Sequence, residues 1–438
     1  MNFALPPKYE RLTATTVTSY LDQHPSLAAR LGGDRSAWRV EEVSDGYLNL
    51  VFLVTGSTGS VCVKQSLPHV RVDESWKLPL DRNRCERIWF EHVAPHVDRA
   101  IPDIYHHDSD RFILVIETLR PHEVLRTALI GGRRYPDFAR DVGRFVANAT
   151  FHTSDLFQRY EDKQEVIASL RHNDALHRIM RELVFQDPFF PSPRNHWTTP
   201  QLDDIVGQIH ADPVLRLAAS RIGYKFMTST QALVHSDLHT GAVMATDGDT
   251  RIIDPEFGVY GAIGVDTGCF IAHLFMAYYS QPAYASAEDD RTAFQTWILE
   301  QIEIFWDEFR RSFLDLWRAK SGGDGYPAFV FADAVGAAAL DAERERFLDE
   351  IWQDTLAYAA VKIIRSIIGY SHFGDLEGIA DPDQKAASEA GALSLGRLLL
   401  VEPGRFASIS DVTAVASKLQ QQRRSAGSRL SFSSLKDI

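Results

Sequence analysis

The apolar residues of this 438-residue chain change their period near residue 119, and that change sets the order in which sheet and helix can be laid down. From about Arg39 to Thr118, short β-branched runs alternate with turn residues. Asn49-Leu50-Val51-Phe52-Leu53-Val54-Thr55 and Val61-Cys62-Val63-Lys64 flank Gly56-Ser57-Thr58-Gly59-Ser60, a hairpin pattern, and Arg111 to Thr118 reads as a further strand. Pro121 closes the exit of that strand and places a hinge at about residue 119. Beyond it, residues 137–157, 291–320, 342–370 and 383–400 space their apolar side chains as helices do. The expectation is an α+β fold, with a small β-rich lobe over 1–118 and a large, mainly helical lobe over 119–438. The Gln-, Arg- and Ser-rich stretch 420–438 reads as a surface tail.

Charge narrows the partners. Lys and Arg number 46 against 59 Asp and Glu, a net charge of −13, so there is no basic excess to release counterions from nucleic acid or to hold an anionic membrane. An anionic ligand must instead meet a local cationic site. Cys62, Cys85 and Cys269 lie far apart without CxxC spacing and read as reduced thiols. The N-terminus lacks an apolar signal run, and the best membrane candidate, 266–288, is interrupted by His273, Ser280, Gln281 and Pro282. A cytoplasmic protein is expected, acting on a small molecule, with neither nucleic acid nor membrane as partner.

The densest chemistry lies between residues 233 and 256. Leu233-Val234-His235-Ser236-Asp237-Leu238-His239-Thr240-Gly241 leads into an apolar run, Asp247-Gly248 makes a turn, and Ile252-Ile253-Asp254-Pro255-Glu256 follows the return run. A hairpin there brings Asp237 back beside Asp254. Carboxylates gathered at one end of a hairpin repel one another unless a cation or a transferable proton compensates. Asp254 and Glu256 can face one Mg²⁺ with oxygen ligands while Asp237 accepts a hydroxyl proton, a phosphotransfer arrangement. The four-residue spacing of His235 and His239 suits two zinc ligands on a helix, but Thr240-Gly241 argues for a loop, in which His235 braces the chain by hydrogen bonds.

Three other segments accompany it. Ser44-Asp45-Gly46-Tyr47-Leu48-Asn49 reads on its own as a plain turn, although a glycine there lets backbone N–H groups approach a phosphate. Neither GxxxxGK[ST] nor GxGxxG occurs in the chain. Lys64, ending a strand, neutralises phosphates if a carboxylate aims it, and Glu86 and Glu91 on a helix over 81–92 are the candidates. Lys362 and Arg365 share one face of an otherwise apolar helix, either as a solvated stripe or as a cationic fork turned into a cleft to hold vicinal hydroxyls.

Taken together, Asp45 to Phe52, Val63 to Val72, Glu74-Ser75-Trp76 with Leu78 to Arg82, His235 to Gly241, and Asp254 to Gly261 resemble the 5-methylthioribose kinases. These belong to the group with protein-kinase-like fold that includes choline kinases and aminoglycoside phosphotransferases. The resemblance runs in the family's order across roughly residues 40 to 400. It implies a bilobal kinase using ATP and Mg²⁺ to phosphorylate the 1-hydroxyl of 5-methylthioribose in methionine salvage, and a homodimer. Residue by residue, it implies that the loop holding Gly46 and Asn49 covers ATP, that Lys64 contacts its phosphates, and that Glu117-Thr118-Leu119 binds adenine. Asp237 would be the catalytic base against the acceptor hydroxyl, Asp254 and Glu256 the Mg²⁺ ligands, and Trp76 and Arg365 part of the sugar site.

The chain departs from the pattern at three positions. Ala242 stands where the wider group carries a metal-binding asparagine, Ser236 where these kinases usually have glycine, and Ser366 where they often show a second arginine. The last departure bears on the acceptor. Another 5-deoxy pentose, an amino alcohol or an aminoglycoside is the alternative within the same chemistry, and a nucleotide-binding pseudokinase the alternative outside it.

Overall fold

The computed structural model describes residues 5–43, 48–71, 73–320 and 322–426. Its first part is built on strands β1 (Arg39–Val43), β2 (Asn49–Thr55), β3 (Ser60–Ser66), β4 (His69–Val70), β5 (Asp73–Lys77), β6 (Ile104–Asp108) and β7 (Ile113–Glu117). Five of them form one antiparallel sheet in the order β1-β2-β3-β7-β6, and β4 and β5 make a separate ribbon. The expected hairpin is β2–β3, in register from Asn49 opposite Ser66 to Thr55 opposite Ser60.

Alternation along the central strands assigns the two faces of the sheet. Phe52, Val54, Val61, Val63, Ile113 and Val115 pack on Val17, Leu21, Leu27 and Leu31 from the helices Thr16–Asp22 and Pro25–Leu31. Leu114 and Ile116 join the larger core with Cys85, Ile88 and Trp89 of the helix Arg82–Val93. Lys64 lies opposite Leu114, on the face that this helix covers. The apolar run of β7 is continuous because both of its faces are buried.

The remainder is mainly helical among the described residues, with five further short strands in two small sheets: β8 (Glu123–Val124), β9 (Ala232–Val234), β10 (Val243–Thr246), β11 (Asp249–Ile252) and β12 (Val259–Gly261). The helices Phe138–His152, Thr292–Ala319, Ala334–Ile368 and Pro382–Val401 occupy the stretches whose periodicity indicated them. The stretch read as the best membrane candidate is the helix Gly264–Ser280, buried at every residue. It is apolar all round because protein surrounds it. It lies so close to Ala334–Ile368 that a Cβ on Gly264 would stand 2.4 Å from Asp354 Cβ, and one on Gly268 2.6 Å from the Thr355 carbonyl oxygen. Among the described residues, no helix is long and apolar enough to cross a membrane.

One expectation needs correction, and one feature was not foreseen. The stretch from Gln420 is not simply a tail: the helix Ile409–Ala426 runs into it and buries Leu419 and Gln420, while 427–438 lie outside the described residues. The two N-terminal helices, which cover one whole face of the sheet, had no counterpart in the sequence reading.

Candidate active site

Lys64 is 7% exposed and points from β3 toward the helix Arg82–Val93. Its ammonium donates to Glu86 Oε1 at 2.5 Å and to Asp254 Oδ1. Burial works against the charged amine, but the carboxylates of Asp254 and Glu86 outweigh it and hold the ammonium protonated. Glu86 is thus the partner; Glu91 pairs with Arg87 at 2.6 Å. One cation ties the sheet, the helix and the segment after β11 together.

That segment follows the expected hairpin. Strands β10 and β11 pair from Val243 opposite Ile252 to Thr246 opposite Asp249, with Gly248 turning at φ +74°. The ends of the hairpin are also fastened: the Ile253 N–H donates to the Ala242 carbonyl at 2.9 Å, and His235 Nε2 donates to the Ile253 carbonyl at 2.9 Å. His235 therefore braces the loop as the sequence indicated. His239 Nε2 lies 3.7 Å from Asp237 Oδ2.

Asp237 is held by groups from two distant helices. Asp266, buried near the start of Gly264–Ser280, accepts the backbone N–H groups of His235 and Ser236, each at 2.7 Å. Lys362 of Ala334–Ile368 donates to Asp237 Oδ1 at 2.7 Å. Burial alone would raise the Asp237 carboxyl; the charge of Lys362, with Arg365 beyond it, holds it far below the usual carboxylate range. Ser236 sits at φ +70° and Asp254 at φ +67°, a conformation that L residues adopt at a cost.

Glu256 is 6% exposed and accepts from Asn49 Nδ2 at 3.0 Å. Arg82, 0% exposed, lies with Nε 3.7 Å from the same oxygen and donates from its other nitrogens to Asn49 Oδ1 at 3.0 Å and to the carbonyls of Leu48, Leu67 and Pro79. Burial and the neighbouring Asp254 charge push the Glu256 carboxyl up to about 8, with Lys64 and Arg82 offsetting only part. Asp254 and Glu256 are hard oxygen donors short of positive charge, a set that fits a divalent cation such as Mg²⁺.

Lys362 and Arg365 are both buried, which removes the solvated-stripe reading. The Arg365 guanidinium stands 4.8 Å over the ring of Phe373, and its Nη1 donates to the Ser371 carbonyl at 2.8 Å. Trp76, on β5, packs against Tyr370 with ring centroids 5.6 Å apart. Arg365 and Trp76 thus meet the same short segment after Ala334–Ile368. Glu117 ends β7, with its N–H on the Asp103 carbonyl at 2.8 Å and its side chain 3.6 Å from Arg251; Leu119 is buried two residues on. Gly46 lies outside the described residues.

Sequence reasoning gave no role to two residues of this assembly and no partner to a third. Arg82 and Asp266 carry no local signal, because their partners lie far along the chain. Lys362 was visible only as a charge in an apolar helix.

Residues 39–297 match the phosphotransferase enzyme family. A methylthioribose kinase of Escherichia coli is 37% identical over 94% of this chain and 98% of its own length. Methylthioribose kinase 1 of Oryza sativa subsp. japonica is 34% identical over 92% and 94%. Among solved structures, a choline kinase from Cryptosporidium parvum superposes with a TM-score of 0.45 at 12% identity, covering 94% of both chains.

Proposed function

Since the chain belongs to the methylthioribose kinases of the phosphotransferase enzyme family, we propose that it transfers the γ-phosphoryl group of ATP to the 1-hydroxyl of 5-methylthioribose, giving 5-methylthioribose 1-phosphate and ADP in methionine salvage. The observation that carries the phosphotransfer chemistry is the buried Lys64 ammonium held between Glu86 and Asp254. A fixed cation of this kind binds phosphate oxygens without having to be reorganised during the reaction. The relatives' shared acceptor carries the choice of sugar.

In this reading residues 1–118 are the nucleotide lobe and 119–438 the catalytic and substrate lobe. The pairing of β8 with β10 soon after the hinge supports that boundary. The loop with Gly46 and Asn49 covers the phosphates, Lys64 contacts them, and Glu117 to Leu119 receive adenine. Asp254 and Glu256 would hold Mg²⁺, which when bound would neutralise phosphate charge. Asp237 orients the acceptor hydroxyl and takes its proton. Arg365 and Trp76 line the sugar side. A homodimer follows from the family resemblance alone, and a cytoplasmic location fits the three free cysteines.

Purified protein assayed for ADP release with 5-methylthioribose, 5-deoxyribose, choline and an aminoglycoside tests the reading. Methylthioribose should be used with the highest kcat/KM by at least about tenfold. A preference for another acceptor would move the substrate, and ADP release with none would leave a nucleotide-binding pseudokinase.

A further inference from the structure

Lys362 takes no part in the chemistry described so far, yet it is among the most enclosed charges in the protein. Its side chain is 1% exposed, on a helix turn made of Ala359, Ala360, Val361, Ile363 and Ile364, all of them buried. Its ammonium has one hydrogen-bonded carboxylate partner among the described residues, Asp237 Oδ1 at 2.7 Å; the Ser236 carbonyl lies at 3.5 Å and the Met180 sulfur at 3.9 Å. Burying an ammonium there is costly and is offset chiefly by that one carboxylate.

We propose that Lys362 is the positioning residue of the phosphoryl transfer, its ammonium engaging Oδ1 of Asp237 so that Oδ2 is the oxygen offered to the acceptor's proton. The inference rests on the reading of Asp237 as the base. The other titratable and charged groups facing this carboxylate do not duplicate the role. Cys269, from the helix Gly264–Ser280, lies 4.0 Å from Oδ1; burial pushes its thiol up to about 12, so it stays neutral. His239 lies 3.7 Å from Oδ2; burial and the charge of Arg126 push its imidazole down to about 3, so it too is neutral. His235 receives the Asp237 backbone N–H at 3.4 Å, and Asp266 is engaged with backbone N–H groups. His273 is buried beyond His239, with ring centroids 5.2 Å apart. Arg365 adds its charge from one turn further along the helix of Lys362 and is turned to the Ser371 carbonyl.

The step then balances. As the acceptor oxygen bonds to the γ-phosphorus, its proton passes to Asp237 Oδ2. The bond from the γ-phosphorus to the β,γ-bridging oxygen breaks, and its electron pair leaves on ADP. The proton afterwards goes to solvent. Throughout, Lys362 donates to Oδ1, restricting rotation of the carboxylate and keeping it ionised until the acceptor arrives.

The test compares Lys362→Met and Lys362→Arg with wild type. Without a counter-ion the enclosed carboxyl of Asp237 should titrate higher, so the acid limb of kcat/KM in Lys362→Met should move up by about one pH unit or more. kcat at neutral pH should fall about tenfold or more and partly recover as pH rises, with KM for ATP little changed. Lys362→Arg keeps the charge and should leave the limb near its wild-type position even if kcat falls. A limb unmoved in Lys362→Met, or shifted as far in Lys362→Arg, overturns the proposal. The protonated-carboxyl infrared band that Asp237→Asn removes gives a readout without turnover: it should appear at higher pH in Lys362→Met than in wild type. If no acceptor is phosphorylated but that band shifts, the proposed function fails and the pairing stands; turnover with an unshifted band has the opposite meaning. Should Lys362→Met not fold, the double variant with Asp237→Asn, which removes the stranded charge, should fold again, and its failure to do so counts against the pair.

Discussion

Glu86 and Lys64 meet at 2.5 Å with side chains 1% and 9% exposed, so the cation assigned to the phosphates is aimed by a carboxylate that solvent scarcely reaches. Glu86→Gln keeps the shape and removes the charge. Losing one partner of an enclosed ion pair costs about 3–5 kcal/mol when the other charge is stranded, and less here because Asp254 remains. Thermal unfolding should shift downward, and kcat/KM for ATP should fall about tenfold or more. Unchanged kinetics would separate Lys64 from the phosphates.

Asp237→Asn should leave nucleotide binding within a few-fold of wild type while turnover falls by about 10²–10⁴, the range expected when a general base is removed. ADP binding by calorimetry and ADP release on methylthioribose report the two quantities separately. Near-wild-type turnover would mean that the proton goes elsewhere.

Ser236 holds φ +70° with its hydroxyl buried and without a hydrogen-bond partner among the described residues. A left-handed L residue costs about 1–2 kcal/mol, and glycine returns about 0.5–1 kcal/mol of that as extra freedom when unfolded. Ser236→Gly should therefore stabilise the protein by up to about 1 kcal/mol in urea titrations, with turnover within about twofold of wild type. A loss of stability would show that the serine makes a contact worth more than its strain.

Glu389, 1% exposed on the helix Pro382–Val401, has its carboxyl pushed up to about 7 by burial, with Thr198 and Lys385 offsetting only part. Between the ordinary value of 4.5 and 7 the folded protein keeps a proton that the unfolded chain releases. Its contribution is therefore complete below the lower value and is lost as pH rises through the upper one. Glu389→Gln should match wild type in thermal stability near pH 4.5 and exceed it near pH 8, by up to about 3 kcal/mol. Parallel melting curves at both pH values would refute the shift.

Much of this was legible in the residues, for local reasons. The β2–β3 hairpin is announced by the turn at 56–60, the β10–β11 hairpin by Asp247-Gly248, and the long helices by their spacing, since each signal sits within a few residues of what it builds. Asp237, Asp254 and Glu256 were singled out because they cluster along the chain, and Lys64, far from them in sequence, because it ends an apolar strand. Which glutamate meets Lys64 was not decidable, since Glu86 and Glu91 share a helix and only the packing of that helix on the sheet separates them. Asp266 escaped notice because its partners, His235 and Ser236, are contacted through backbone groups, which leave no trace in side-chain pattern. The usual glycine at position 236 in the resembling family has its reason in the positive φ.

The close approach of Gly264–Ser280 to Ala334–Ile368 reaches beyond packing. One helix supplies Asp266, which fixes the backbone of the loop, and the other supplies Lys362, which fixes the carboxylate at its tip. With no room for even a methyl group at Gly264 or Gly268, the two form a single jig in which Asp237 is clamped. Redesign for a new alcohol should therefore leave that jig alone and work on residues 369–373, where the chain has left the helix and Tyr370 and Phe373 already meet Trp76 and Arg365.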